Sequence, residues 1–231
     1  MQTSWRTEVP PLFLVIGMFV AAVVLWPIAP ERIPVHWNIQ GEIDRYGGRF
    51  EGLLALPLIA AGVYSLFLVL PKFDPCRRNY LSFANAYFVI RLAILSMMVL
   101  IYACILLTAF GHHINMGEIV SMAVGMMFII VGNVMGKIRP NWFVGVRTPW
   151  TLSSRRSWNK THRLAGWLFV AMGFVTIAYG FAQTLWMAVV AAIVVVGSLS
   201  WTVIYSYLVW RTDPERLAAA SISPSNDASD I

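Results

Sequence analysis

The sequence predicts an all-α, polytopic membrane protein with six transmembrane helices and both termini on the cytoplasmic side. Three observations carry this reading. Of the 231 residues, 58% are hydrophobic and only 12% charged, whereas soluble domains hold about 25% charged residues. The charges also cluster, which leaves six apolar windows near the length of about 20 residues that crosses a bilayer. Finally, thirteen basic residues fall on one side of the predicted bundle and three on the other, and short basic loops stay cytoplasmic.

The first window, Pro11–Ala29, has Glu8 beside Arg6 in its flank, a long apolar run, and Pro27 and Pro30 where a signal peptide would need a small-residue cleavage point. It is therefore expected to be a retained anchor. The other windows are Gly52–Leu70, Phe83–Phe110, Ile119–Met135, Leu164–Gln183 and Leu185–Trp210. Each is expected to be a helix, because the chain must satisfy its own backbone in hydrocarbon and the runs lack the alternation of barrel strands. Only Gln183 and Thr184 separate the last two, so a tight hairpin turn belongs there. Residues 1–110 form an N-terminal region of three spans and residues 111–210 a second region of three. The polar tail 211–231 is expected to be disordered. Charge bias places Arg6, Lys72, Arg77 and Arg78, the segment from Lys137 to Arg163, Arg211 and Arg216 inside, and Arg32, Arg45 and Arg49 outside. The expected location is a membrane, with the basic loops on its cytoplasmic face.

The outer loop Pro30–Phe50 mixes turn formers with ligating groups. Gly41, Gly47 and Gly48 permit tight turns, while His36, Asn38, Glu42 and Asp44 offer polar atoms at short range. One reading makes Asn38 and Asp44 turn caps and Trp37 and Tyr46 headgroup-level aromatics. The other makes the loop an external recognition surface. His112 and His113 lie on the same side, so zinc is conceivable with His36, but no ligand spacing supports it. No cofactor is expected.

The inner loop, residues 136–163, holds seven Lys or Arg, and no Asp or Glu occurs between Glu118 and Asp213. Its counter-charges must be anionic lipid headgroups, an acidic partner, or acids from distant segments. Trp142, Phe143, Trp150, Trp158 and Trp167 interleave with these cations as in an interfacial belt. Two Arg and two Pro between Lys137 and Trp150 imply a defined shape beyond anchoring, with the Arg139 and Arg147 guanidinium groups expected to fork onto backbone carbonyls or a phosphate. Ser153 or Ser154 is expected to cap a helix over Arg155–Arg163.

Arg91 lies inside the third span, where a charge costs about 3 kcal/mol or more unless it is paired or snorkels. Snorkelling and a polar node with Asn85 and Asn133 are its two readings. No acid lies deep in any window, which weakens a proton-coupled transporter. Cys76 and Cys104 form no CxxC pair, and no nucleotide loop, nucleophile elbow or metalloprotease helix occurs. Catalysis therefore has no support. Nucleic-acid binding is not expected, because the basic residues track the membrane face.

The segment Ile33-Pro-Val-His-Trp-Asn38 with Gly41 and Asp44 resembles the IPxHxNxxGxxD loop of a small membrane domain of unknown function. Residues 132–152 (Gly-Asn-Val-Met-Gly-Lys-Ile-Arg-Pro-Asn-Trp-Phe-Val-Gly-Val-Arg-Thr-Pro-Trp-Thr-Leu), followed by Trp158, Lys160, Thr161, His162 and Arg163, resemble the signature of the SdpI immunity-protein family. That resemblance implies a six-helix bacterial membrane protein that protects its producer from a secreted toxic peptide and holds a cytoplasmic repressor at the membrane. The implied site residues are His36, Asn38, Gly41 and Asp44 outside. Inside they are Asn133, Lys137, Arg139, Pro140, Asn141, Trp142, Arg147, Thr148, Pro149 and Trp150. The expected partners are the bilayer, anionic headgroups, a toxin and a regulator. A small-solute or lipid transporter is the rival class, and a metal-dependent membrane enzyme is a third. The oligomeric state is left open.

Overall fold

The computed structural model describes residues 5–38 and 41–222. In chain order the elements are α1 (Trp5–Leu25), β1 (Ile33–Trp37), β2 (Ile43–Gly47), α2 (Arg49–Phe73), a 3-10 turn (Arg77–Phe83) running into α3 (Ala84–Ala109), α4 (Met116–Met135), α5 (Pro149–Ser153), α6 (Arg155–Ala182), α7 (Leu185–Arg211) and α8 (Pro214–Ile222). Six helices, α1 to α4 with α6 and α7, are long and apolar enough to cross a membrane. Only 17–33% of each apolar window is buried within the protein, and large side chains such as Phe13, Phe174 and Leu185 face outward. Hydrocarbon is the solvent that tolerates such a surface.

Helices α1, α2 and α3 pack together, α4 packs closely on α6 and α6 on α7, and α3 meets α4 to join the two groups. The α4–α6 approach follows from sequence. Gly125 and Gly132 are seven residues apart on α4, and Gly166 and Gly173 are seven apart on α6. A Cβ added at Gly125 would stand 2.6 Å from the Gly173 carbonyl oxygen, and one at Gly132 would stand 2.7 Å from that of Gly166. Small residues permit this backbone contact, and in lipid such van der Waals fit replaces a hydrophobic driving force.

The first group is held by a different device. A proline cannot donate to the carbonyl four residues earlier, so Pro11, Pro57 and Pro71 free the carbonyls of Thr7, Leu53 and Phe67. Side chains of α3 satisfy all three. Arg91 Nη2 donates to Thr7 O at 2.7 Å, the Tyr102 hydroxyl to Leu53 O at 2.8 Å, and the Tyr87 hydroxyl to Phe67 O at 2.5 Å. Transmembrane prolines are tolerated where neighbouring helices meet the freed groups in this way.

The same region overturns both sequence readings of Arg91. Its side chain is fully buried and does not snorkel, and Nη2 also donates to Glu8 Oε1 at 3.0 Å. The Tyr64 hydroxyl donates to Glu8 Oε2 at 3.1 Å. Helix α1 starts at Trp5, six residues before the Pro11–Ala29 window; the helix can run through Pro11 because Arg91 meets the Thr7 carbonyl that the proline frees. That extension brings Glu8, in the first turn of α1, against the bundle as the partner of Arg91, at the end of the span and not deep within it. Asn85 is exposed, and Asn133 is exposed with Nδ2 donating to Ile129 O on its own helix. Neither forms a node with Arg91.

Two further expectations change. The outer loop is a β-hairpin rather than a run of turns, and residues 214–222 of the tail form α8, an amphipathic turn of chain that the polar composition concealed. Residues 223–231 of that tail lie outside the described residues.

Candidate functional site

The basic end of the bundle is built around residues 136–154. After α4, the Ile138 carbonyl accepts from Trp158 Nε1 at 2.9 Å and the Pro140 carbonyl accepts from Asn79 Nδ2 at 2.7 Å. Asn141, 1% exposed, then organises the turn. Its Oδ1 accepts from the backbone N–H groups of Phe143 and Val144, while its Nδ2 donates to the carbonyls of Arg139 and Val144. Both halves of one amide are thus spent on the loop's own backbone. The Trp142 N–H donates to the buried carboxylate of Asp74, which also accepts from the Tyr80 hydroxyl and the Cys76 N–H.

Gly145 has φ +104°, and a Cβ there would overlap the His162 ring. This lets the Val146 N–H reach His162 Nε2 at 3.0 Å, while His162 Nδ1 donates to Trp158 O at 2.9 Å. The ring is therefore the neutral tautomer, stacked 4.1 Å from Trp158 at 19°. Thr148 and Thr151 form a reciprocal capping box that opens α5, with Pro149 in its first turn. Thr148 Oγ1 also meets Ser206 Oγ at 3.0 Å. Trp150 lies edge-on to Tyr207. Ser154 caps α6, as its sequence position suggests, and its hydroxyl donates to Asp213.

The loop thus has a defined shape, but arginines do not hold it. Arg147 makes a single hydrogen bond, Nη1 to Trp142 O at 2.9 Å, and no hydrogen bond or ion pair engages the Arg139 guanidinium among the described residues. Buried side chains fix the backbone instead, the neutral Asn141, Thr148, Thr151 and His162 together with the Asp74 carboxylate that accepts from the Trp142 N–H. This leaves Lys137, Arg139, Trp142 and Arg147 exposed on the rim, with Arg155, Arg156, Lys160 and Arg163 exposed along the start of α6. None of these cations is in an ion pair among the described residues. The distant acids Asp74 and Asp213 serve as hydrogen-bond acceptors, not as counter-charges. Trp158 is fully buried and Trp142 and Trp167 are exposed, so the aromatic run is divided between core and rim.

At the opposite end, the hairpin pairs Ile33 with Gly47, Pro34 with Tyr46, His36 with Arg45 and Trp37 with Ile43. Ile33 anchors it: the side chain is fully buried with Leu53, and a Cβ at Gly52 would come within 2.5 Å of it. Arg45 pairs with Glu51 at 2.7 Å, tying β2 to α2. Asn38 Oδ1 accepts from the Glu42 N–H at 2.9 Å and so closes the turn. Gly41, at φ +81°, brings that turn against Asn115 and Gly117 at the start of α4. Asp44 is not a turn cap. Its Oδ1 lies 2.6 Å from His36 Nδ1, and both side chains are exposed. With Asp44 ionised, Nδ1 carries the proton and the edge bearing Nε2 is left to solvent.

The hairpin residues His36, Asn38, Gly41 and Asp44 are therefore assembled at one end and the loop residues Lys137–Trp150 at the other. Asn133 and Arg91 belong to neither cluster. His112 and His113 are exposed in the α3–α4 connection, and no group of three His, Cys, Asp or Glu that could hold a metal occurs among the described residues. Asp74, Asn79, Thr151, His162, Ser206 and Asp213 were not expected in the site. Thr151 and His162 lay within the quoted signature, but the others reach the loop from sequence positions that carry no local signal.

Residues 137–206 match the SdpI/YfhL protein family, and residues 13–61 match a domain of unknown function, DUF1648. These segments contain the basic loop and the hairpin respectively. The chain is similar to "Immunity protein SdpI" of Bacillus subtilis (strain 168), 24% identical over 205 residues, which span 87% of this chain and 95% of that protein. No solved structure matches it. With both matches in place and a likeness running nearly end to end, this multi-pass membrane protein is similar to the SdpI/YfhL family, most directly over residues 137–206.

Proposed function

We propose that the chain is an immunity and signalling protein of the bacterial cytoplasmic membrane, which binds a secreted peptide toxin outside and reports to a regulator inside. It acts by binding rather than catalysis. The observation that carries this reading is the pairing of two ordered polar devices at opposite ends of one helix. The hairpin turn rests on the start of α4, and the basic loop leaves the end of α4. A ligand that shifts the hairpin can therefore act on the loop through a single rigid element. The nearly full-length likeness to a protein named for immunity supports the same assignment. The exposed His36–Asp44 pair offers acceptors to a peptide, the Nε2 lone pair and the charge-assisted Asp44 carboxylate, and the exposed cations of the loop offer a surface to an acidic partner.

Survival of a sensitive bacterium expressing the chain, measured across a panel of secreted antimicrobial peptides, tests this. Wild type should raise the lethal dose of at least one peptide. Loss of a charge-assisted contact is worth about 1.5–3 kcal/mol, so His36→Ala with Asp44→Ala should lower protection roughly tenfold or more at unchanged membrane levels. Full protection by the double variant would reduce the hairpin to a connector.

A further inference from the structure

The turn joining α2 to α3 encloses a cavity of about 310 Å³ that neither the hairpin nor the basic loop uses. Phe67 and Leu81 supply apolar wall, and Lys72, Arg77, Arg78 and Arg91 supply four cations. Arg91 is the informative member. Its side chain is 1% exposed, and its contacts to Thr7 and Glu8 use only Nη2. Nε and Nη1 are buried with no hydrogen-bond partner. Buried guanidinium N–H groups are rarely left unmet, and the acids Glu8 and Asp74 are already engaged. Glu8 is held by Arg91 Nη2 and Tyr64, and Asp74 by Tyr80, Cys76 and Trp142. Lys72, Arg77 and Arg78 are exposed and in no ion pair among the described residues.

A cavity with surplus positive charge and unspent N–H donors calls for an oxyanion. Its position narrows the choice. It sits where two apolar spans end, at the level of lipid headgroups, and exposed Leu81 continues its wall outward onto the lipid-facing surface. We propose that this cavity binds the phosphate of an anionic phospholipid, with Arg91 contacting the phosphate from within, Lys72, Arg77 and Arg78 surrounding the headgroup, and an acyl chain lying along Phe67 and Leu81. Basic pockets between helices at the cytoplasmic face suit such lipids. A zwitterionic lipid would bring a cation of its own into a site that already holds four.

Thermal unfolding of the purified full chain in neutral detergent tests this, with titration of short-chain phosphatidylglycerol, short-chain phosphatidylcholine or inorganic phosphate. Arg91→Gln is avoided because it also breaks the Glu8 pair. Arg77→Gln with Arg78→Gln alters only exposed positions, and Arg155→Gln with Arg156→Gln removes the same charge from the same end outside the cavity. Phosphatidylglycerol should raise the midpoint saturably in wild type and in the 155/156 variant. The 77/78 variant should need roughly tenfold more lipid. An unchanged response in the 77/78 variant, an equal loss in both variants, or an equal shift with phosphatidylcholine would overturn the site. Saturation by inorganic phosphate at the same concentration would overturn the lipid assignment.

Discussion

A single amide, that of Asn141, shapes the loop in which sequence pointed to arginine. The motif from Lys137 to Trp150 was legible as a shaped element, but the atoms that shape it were not, because a guanidinium and a carboxamide both suit turn backbone. Burial separates them: Asn141 is 1% exposed, and Arg139 and Arg147 stand on the surface. Asn141→Asp keeps the shape and the acceptor oxygen but sets a carboxylate against the Arg139 and Val144 carbonyls. Two buried bonds then become repulsions, at a cost of about 1–3 kcal/mol for each unmet group. The variant should unfold at a lower temperature and be cut within residues 139–148 under limited proteolysis. Arg139→Lys and Arg147→Lys should keep the wild-type pattern, since lysine can replace the single Arg147 bond and Arg139 has none to lose. Increased cleavage in the Lys variants with none in the Asp variant would return the loop to its arginines.

Helix α3 is the element on which the N-terminal group depends, and its role was hidden from sequence for a physical reason. Pro11, Pro57 and Pro71 announce freed carbonyls at fixed offsets, yet the donors that meet them come from Tyr87, Arg91 and Tyr102, between 20 and 84 residues away. Sequence offered only snorkelling or a polar node for Arg91, and nothing set Tyr87 and Tyr102 apart from the rest of their span. A double-mutant cycle isolates the device. Tyr102→Phe removes the donor to Leu53 O and should destabilise the protein by about 0.6 kcal/mol and up to about 1.7 kcal/mol, the range for interhelical hydrogen bonds in membranes. With Pro57→Ala, residue 57 regains an N–H that can bond Leu53 O itself, so Tyr102→Phe should become nearly neutral. Equal costs in both backgrounds, read by thermal unfolding in detergent, would mean that Tyr102 contributes through ring contacts alone.

Across the whole molecule the spans were the most legible feature, because length and apolarity are all that hydrocarbon demands; the six windows fall on the six long helices with shifts of a few residues, largest where α1 and α6 extend into polar sequence. The hairpin was less legible, since its strands carry the Pro, Asn and Gly that also mark turns. Orientation rests on the basic bias alone: the end carrying Lys72, Arg77, Arg78 and the loop from Lys137 to Arg163 should be cytoplasmic, with the hairpin outside. Single cysteines test this, placed where the structure leaves side chains free. Ser154 is unsuitable, being a buried cap of α6, whereas Glu31 at the hairpin end and Arg156 at the basic end are exposed. Cys104 is buried, and half-buried Cys76 should first be replaced by serine. A membrane-impermeant maleimide should label Glu31→Cys on intact cells and label Arg156→Cys only after permeabilisation. The reverse pattern would put the His36–Asp44 pair in the cytoplasm, where it could not meet a secreted peptide, and would leave the exposed cations of the loop as the outward-facing surface.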